Sequence, residues 1–326
     1  MKLLIAVRQS DPAWDWPAGA SERLRQHFPR LDIQVLDNWD NLETALRDAE
    51  IYFGWRMTEA AFAGARCLRW IHSPAAGVQN LLVPALITSG IPITNARAVH
   101  GPVVAEHALA MMLALARGLH RTRDFQAQKK WAVREMWQTP ESLREIRGST
   151  VLLLGLGEIG SALARHLRAL GAVVIGIRRH PSQGTATADE VFAPEDILSL
   201  LPRAHWVVLA MPVSGSTPVL GAREFAAMRP DAIVINVSRG ALLDESAIIQ
   251  ALAHGQIAAA GLDVFAAEPL PSDSPLWSMK QVLISPHLGS ATHGVWIREL
   301  DIFEENLRRW LSGEPLLYAV NPRLGY

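Results

Sequence analysis

Residues 151–160 read VLLLGLGEIG, four apolar residues followed by glycines at 155, 157 and 160. The apolar run has the length of a buried strand, and the continuation SALARHLRALG carries helical spacing. At a joint between a strand and a helix each glycine has a separate use. Gly155 makes the tight turn, Gly157 lets the backbone approach a pyrophosphate, and Gly160 lets helix and strand pack closely. The helix opened by Glu158 and Ile159 then turns its free amides toward the phosphates. Three spaced glycines alone are a weak pattern. Here a whole series of strands follows them, and the stretch predicts a dinucleotide site with contacts at Gly155, Gly157, Glu158, Ile159 and Gly160.

In such sites an acidic residue about 20 positions on takes the adenosine ribose hydroxyl and selects NAD. The strand that should carry it ends IGIRRHP and offers no carboxylate. Arg178 and Arg179 stand there instead, and guanidinium forks bind phosphate in a bidentate manner. The expected cofactor is therefore NADP(H) in preference to NAD(H). The competing reading leaves both arginines on the surface, with NAD bound without the acid.

Working outward, strand-length apolar runs alternate with helical stretches on both sides of the motif. KLLIAVR, IQVLD, AEIYFGW, LRWIHS and IPITN precede it, and AVVIGIRR, HWVVLAMP, AIVINVS, IAAAGLDVF and VLISPHL follow. The fold class is α/β with two doubly wound parallel-sheet domains. A Rossmann domain, residues 99–290, is expected to be inserted in a flavodoxin-like domain formed by 1–98 and 291–326. VVAEHALAMMLALARGLHRTRDF reads as one long, largely buried helix. VWIRELDIFEENLRRWLSGEP reads as an amphipathic helix returning to the first domain. The Trp-rich stretch DPAWDWP is read as a surface loop.

Composition narrows the class of partner. Lys plus Arg number 31 against 32 Asp plus Glu, which speaks against a nucleic-acid surface. One cysteine, Cys67, allows neither an internal disulfide nor a cysteine-based zinc site, and no metal is expected. The N-terminus lacks a signal-like apolar segment, and the apolar runs read as too short and broken to cross a bilayer. A cytoplasmic location with a small-molecule partner, and no membrane or nucleic acid, is the expectation.

Three further stretches fall at the carboxyl ends of predicted strands, where open α/β sheets bind ligands: INVSRGALLDE, GLDVFAAEPLP and ISPHLGSATH. Each supplies one charged or titratable residue. Arg239, Glu268 and His287, in that order after the glycine motif, resemble the catalytic Arg, Glu and His of the D-isomer-specific 2-hydroxyacid dehydrogenases. The resemblance extends over nearly the whole chain, including AEHALAMMLALAR and the loop IHSPAAGV. It implies hydride transfer between a nicotinamide and C2 of a small 2-oxo or 2-hydroxy acid. Arg239 forks onto the substrate carboxylate and polarises the ketone oxygen. His287 donates the proton, and a carboxylate beside it, Glu268, favours the protonated imidazole. The resemblance further assigns the amides of Ala76 and Gly77 to the substrate carboxylate, making 1–98 with 291–326 the substrate domain. It assigns Val104, Pro212, Thr217, Val237 and Asp263 to the cofactor pocket. The cleft between the domains is then the expected active site.

The favoured reading is an NADPH-preferring 2-oxoacid reductase acting on glyoxylate, hydroxypyruvate or an aryl pyruvate, expected as a homodimer. Side-chain selectivity is expected from residues near Trp55, Arg56 and His72. Trp131 and Trp137 lie where some relatives reach across a dimer; packing within one subunit is the equal alternative. Formate dehydrogenases share the fold but carry glutamine where Glu268 stands. A reading from another class is a dinucleotide-sensing interaction protein, like the co-repressors built on this scaffold, because fold alone does not decide function. His100, His107, His120 and His293 are read as helix or loop residues, and Glu106 with His107 as helix packing.

Overall fold

The computed structural model describes residues 1–7, 14–138, 143–183, 187–212 and 217–325. It divides into two compact units, Met1–His100 with Ala291–Tyr326, and Gly101–Ser290.

The first unit carries β1 (Lys2–Ala6), β2 (Asp32–Val35), β3 (Ile51–Gly54), β4 (Trp70–Ser73) and β5 (Ile93–Asn95). They form a parallel sheet in the order β2-β1-β3-β4-β5, the flavodoxin-like order. Successive strand residues point to opposite faces. Leu3 and Ile5 of β1 therefore join Phe53, Trp70 and Phe303 on one side of the sheet. Leu4 and Ala6 join Tyr52 and Ile71 on the other. Covered on both faces, such strands need continuous rather than alternating apolar sequence, as KLLIA shows. The C-terminal helix Val295–Ser312 sends Leu300, Phe303 and Leu307 into the first of these cores.

The second unit carries β6 (Thr150–Leu154), β7 (Val173–Ile177), β8 (Glu190–Phe192), β9 (Trp206–Leu209), β10 (Ile233–Asn236), β11 (Ala259–Leu262) and β12 (Val282–Ile284). Their order is β12-β11-β10-β9-β6-β7-β8, all parallel. Strand order reverses between β6 and β9, and loops at such a switch point frame the ligand crevice of doubly wound sheets. Leu152 and Leu154 face one core and Val151 and Leu153 the other.

Four expectations need correction. The helix drawn from VVAEH onward ends at Ala116, and a second one, Leu119–Ala127, begins after Gly118 at φ 63°. Glycine supplies that left-handed turn without steric cost. The helix Arg97–Ala116 is also long and apolar enough to cross a bilayer, contrary to the reading of the sequence. Half of it is buried, with Met111, Met112 and Leu115 in the core against Val151 and Leu153, which accounts for its apolarity. Gly261 makes room for it on β11, since a Cβ there would lie 3.1 Å from Leu115 and 3.2 Å from Met111. In DPAWDWP, residues 11–13 lie outside the described residues, but Trp16 is buried, edge-on to Phe53 at 5.5 Å and Trp296 at 5.8 Å. Finally, β8 escaped notice because three half-buried residues carry no periodicity.

Candidate active site

The glycine loop has the geometry its sequence implies. Gly155 adopts φ +111°, where a Cβ would come within 2.5 Å of the Ala210 carbonyl oxygen, and its amide bonds Ile177 O at 3.1 Å. A Cβ on Gly160 would collide with the Gly155 carbonyl, so the helix Glu158–Ala169 touches the turn only because residue 160 has no side chain. At Gly157 a Cβ would meet none of the described residues within 4 Å. This open face, with no side chain capping the helix start, fits a pyrophosphate: the donors are present and the approach is clear. Gly101 lies against Glu158, its hypothetical Cβ 2.8 Å from that of Glu158.

Arg178 follows β7 directly, its amide bonded to Phe192 O at 3.0 Å, and Arg179 is exposed beside it. Val104 and Val237 are buried, whereas Pro212 and Thr217 are exposed.

Arg239, Glu268 and His287 all follow carboxyl ends of neighbouring strands, β10, β11 and β12. After β10 the chain is tied down locally: Asn236 Nδ2 donates to Arg239 O at 3.0 Å, and Ser238 N to Asn236 Oδ1 at 3.1 Å. Arg239 Nη1 donates to Ser238 O at 2.7 Å. Burial lowers the guanidinium from its usual value, and the Glu268 carboxylate works in the opposite direction. Gly240 follows because any Cβ there would strike the Phe265 carbonyl.

Glu268 Oε1 accepts from Phe265 N at 3.0 Å, and Oε2 lies 2.6 Å from His287 Nδ1. With a carboxylate at Nδ1, that nitrogen carries hydrogen and Nε2 is the one left to face a reactant. The pair is accessible, its side chains 36% and 45% exposed. His287 sits at φ 55°, a region that costs a residue with a side chain about 1–3 kcal/mol. Its amide is held there by Asp263 O at 2.9 Å and Ser285 O at 3.0 Å.

Asp263 secures the same turn through its side chain. Its carboxylate is buried and accepts from Leu288 N and Gly289 N, both at 2.9 Å, with His107 Nε2 3.2 Å away. Gly289 is glycine for this reason, since a Cβ would lie 2.7 Å from Asp263 Oδ2. Burial opposes ionisation of Asp263, but the hydrogen bonds from His107 and Ser285 prevail and hold its carboxyl below the usual range. The sequence reading missed this anchoring and the His107 contact, as no local signal joins residues so distant in the chain. A depressed carboxyl contributes stability above its unfolded value and loses it as pH falls through the folded one. Asp263→Asn is thus expected to cost about 1–3 kcal/mol in urea unfolding at neutral pH. The deficit should shrink below about pH 4; a deficit constant into acid would show that charge plays no part.

In the first unit, the loop after β4 holds Ala76 and Gly77 half-exposed. Among the described residues no acceptor takes either amide hydrogen. Asn95 Nδ2 donates to Ala76 O at 2.5 Å. Of the residues expected to set selectivity, His72 is fully buried in β4 with Nδ1 2.8 Å from Thr94 Oγ1, so it lines no open surface. Trp55 packs 6.0 Å from Trp296, and the Arg56 guanidinium lies 3.9 Å over Trp39. Trp131 and Trp137 are 93% and 78% exposed, so neither ring is buried among the described residues. Among the described residues no group of three or more His, Cys, Asp or Glu is arranged to hold a metal ion.

Residues 109–289 match the family described as D-isomer specific 2-hydroxyacid dehydrogenase, NAD binding domain. The chain belongs to that family. Over 309 residues it is 32% identical to glyoxylate/hydroxypyruvate reductase B of Pectobacterium atrosepticum, covering 93% of this chain and 94% of the relative. A D-isomer-specific 2-hydroxyacid dehydrogenase family protein of Aeromonas salmonicida superposes with TM-score 0.82 at 29% identity, covering 98% and 99%. The NADPH-dependent glyoxylate/hydroxypyruvate reductase of Sinorhizobium meliloti, in complex with NADP and malonate, gives TM-score 0.80 at 26% identity, covering 99% and 98%. This 2-hydroxyacid dehydrogenase is accordingly an NAD(P)-dependent oxidoreductase with a Rossmann domain. Because these relatives bear the names of reductases and dehydrogenases, the dinucleotide-sensing reading is set aside.

Proposed function

We propose that this dehydrogenase works as an NADPH-preferring reductase of small 2-oxo acids, of which glyoxylate and hydroxypyruvate are the first candidates. The observation that carries the reading is the 2.6 Å pairing of His287 with Glu268, following β12 and β11, with Arg239 on the adjoining strand end. In this reading Arg239 binds the substrate carboxylate and polarises the ketone oxygen, and the amides of Ala76 and Gly77 are assigned to substrate binding. The chemistry that bound NADPH supplies is the hydride added to C2. His287 Nε2 delivers the proton to the developing alkoxide, and Glu268 holds the imidazole by Nδ1. The loop of Gly155, Gly157 and Gly160 with the amides of Glu158 and Ile159 holds the pyrophosphate. Val104, Pro212, Thr217, Val237 and Asp263 belong to the surroundings of the cofactor, Asp263 chiefly by securing the His287 turn.

Arg178 and Arg179 are assigned to the adenosine 2′-phosphate. The NADP in complexes of the Sinorhizobium meliloti reductase and of a Rhizobium etli 2-hydroxyacid dehydrogenase supports this. The test is steady-state reduction of glyoxylate, hydroxypyruvate and phenylpyruvate with NADPH and NADH in parallel. NADPH is expected to give the higher kcat/KM. Alanine at 178 and 179 should lower it roughly 10- to 100-fold with NADPH only. Equal losses with both cofactors would return the arginines to the surface. No turnover with any acid would end the reductase reading itself.

The exposed Trp131 and Trp137 favour a second copy of this chain as their cover. A solution mass of twice the chain, measured by light scattering, is the expected result, and a monomer at micromolar concentration would refute it.

A further inference from the structure

Within the first unit a carboxylate is buried where the reaction does not require one. Glu299, on the helix Val295–Ser312, is 1% exposed, and neither of its oxygens makes a hydrogen bond among the described residues. Two imidazoles flank it. His100 Nε2 lies 3.4 Å from Oε1, and His72 Nε2 lies 3.8 Å from Oε2. His72 is anchored from behind, Nδ1 to Thr94 Oγ1 at 2.8 Å, while the same hydroxyl accepts from Trp70 Nε1 at 2.9 Å.

Stability does not account for this arrangement. A carboxyl buried without a hydrogen bond is commonly no better for stability than a hydrocarbon side chain of the same volume, and the His72 ring that flanks it packs against Phe53 and Phe303. What the arrangement does is orient His100. Two acceptors face Nε2, Glu299 Oε1 at 3.4 Å and the Pro74 carbonyl at 3.1 Å. His100 Nδ1 has no partner among the described residues. Hydrogen therefore resides on Nε2 and is donated to Pro74 O.

Pro74 opens the turn that presents the amides of Ala76 and Gly77. Two other side chains brace the same turn: Ser73 Oγ accepts from Ala75 N at 3.2 Å, and Asn95 Nδ2 donates to Ala76 O at 2.5 Å. We propose that His100, backed by Glu299, is a positioning residue that sets the 73–77 turn for the carboxylate of the 2-oxo acid. The proposal rests on the reading that this turn binds that carboxylate.

The test uses the full-length enzyme and two readouts. His100→Leu removes the donor, whereas His100→Gln places an amide N–H where Nε2 was. In hydrogen–deuterium exchange, His100→Leu is expected to speed exchange at Ala75, the amide this turn protects, and His100→Gln to restore protection. In kinetics, His100→Leu should raise KM for glyoxylate roughly tenfold. Its kcat and its Kd for NADPH should stay at the parental values, and His100→Gln should recover most of the KM. Glu299→Gln should move KM in the same direction by a smaller factor. Unaltered exchange at Ala75 in His100→Leu overturns the proposal even if the parent reduces glyoxylate. So does faster exchange with an unchanged KM, or a loss shared by KM, kcat and NADPH affinity. Faster exchange in a parent that turns over no 2-oxo acid leaves His100 as the brace of the turn and defeats the carboxylate reading instead.

Discussion

Replacing His287 by alanine is expected to lower kcat for 2-oxo acid reduction roughly 10²- to 10⁴-fold, the range removed with a positioned general acid. NADPH should bind as in the parent, because the glycine loop and helix Glu158–Ala169 proposed to cradle it follow β6, four positions across the sheet from β12, which His287 follows. The geometry explains why this one residue carries so much. Glu268 Oε1 is held by Phe265 N and its Oε2 by His287 Nδ1, so the ring has one fixed orientation and one free nitrogen. The backbone at φ 55° is kept in place by bonds from residue 287 to Asp263 and Ser285. Alanine retains those backbone bonds, so the variant should fold and fail at proton delivery alone. The check is kcat at saturating acid beside fluorescence titration with NADPH; parental kcat would mean that another group, or water, supplies the proton.

Arg239→Ala should lower kcat roughly 10²- to 10³-fold, as loss of an oxyanion donor does, and raise KM for the acid about tenfold or more. Both constants should move together if, as proposed, one guanidinium serves the ground-state carboxylate and the charge that grows on the ketone oxygen. Lysine should restore little, since a point charge does not reproduce a planar fork. The fold should not suffer. The guanidinium is pushed below its usual value by burial, so the native state gives up an expensive charge when it goes. Thermal unfolding at or above the parental midpoint, with activity lost, would separate the clamp from a structural role. Parental saturation kinetics would remove Arg239 from the site.

Much of this site was legible in the linear sequence. VLLLGLGEIG contains its own argument, because a strand-to-helix turn that touches its helix requires glycine at 155 and 160, where φ and close contacts leave no room for a side chain, while Gly157 keeps one face open. Arg239, Glu268 and His287 were legible as strand-end residues, since parallel sheets collect their carboxyl ends on one side. The pairing of His287 with Glu268 was an inference from family likeness until a distance stood behind it. Other features left no trace. Trp16 looked like part of a surface loop because burial of a ring depends on Phe53 and Trp296, far along the chain. His107 looked like helix packing because its partner, Asp263, comes from a different strand.

Local chemistry thus determined the strands, the glycine turn, the α/β class and the candidate triad: each depends on residue spacing and backbone sterics within a few positions. Only tertiary structure decided the sheet orders, the break of the long helix at Gly118, the Asp263 anchor of the His287 turn, and the burial of Glu299 between His72 and His100. Those features arise where residues separated along the chain share a low-dielectric interior, and there the worth of a charge or a hydrogen bond depends on neighbours that sequence order does not reveal.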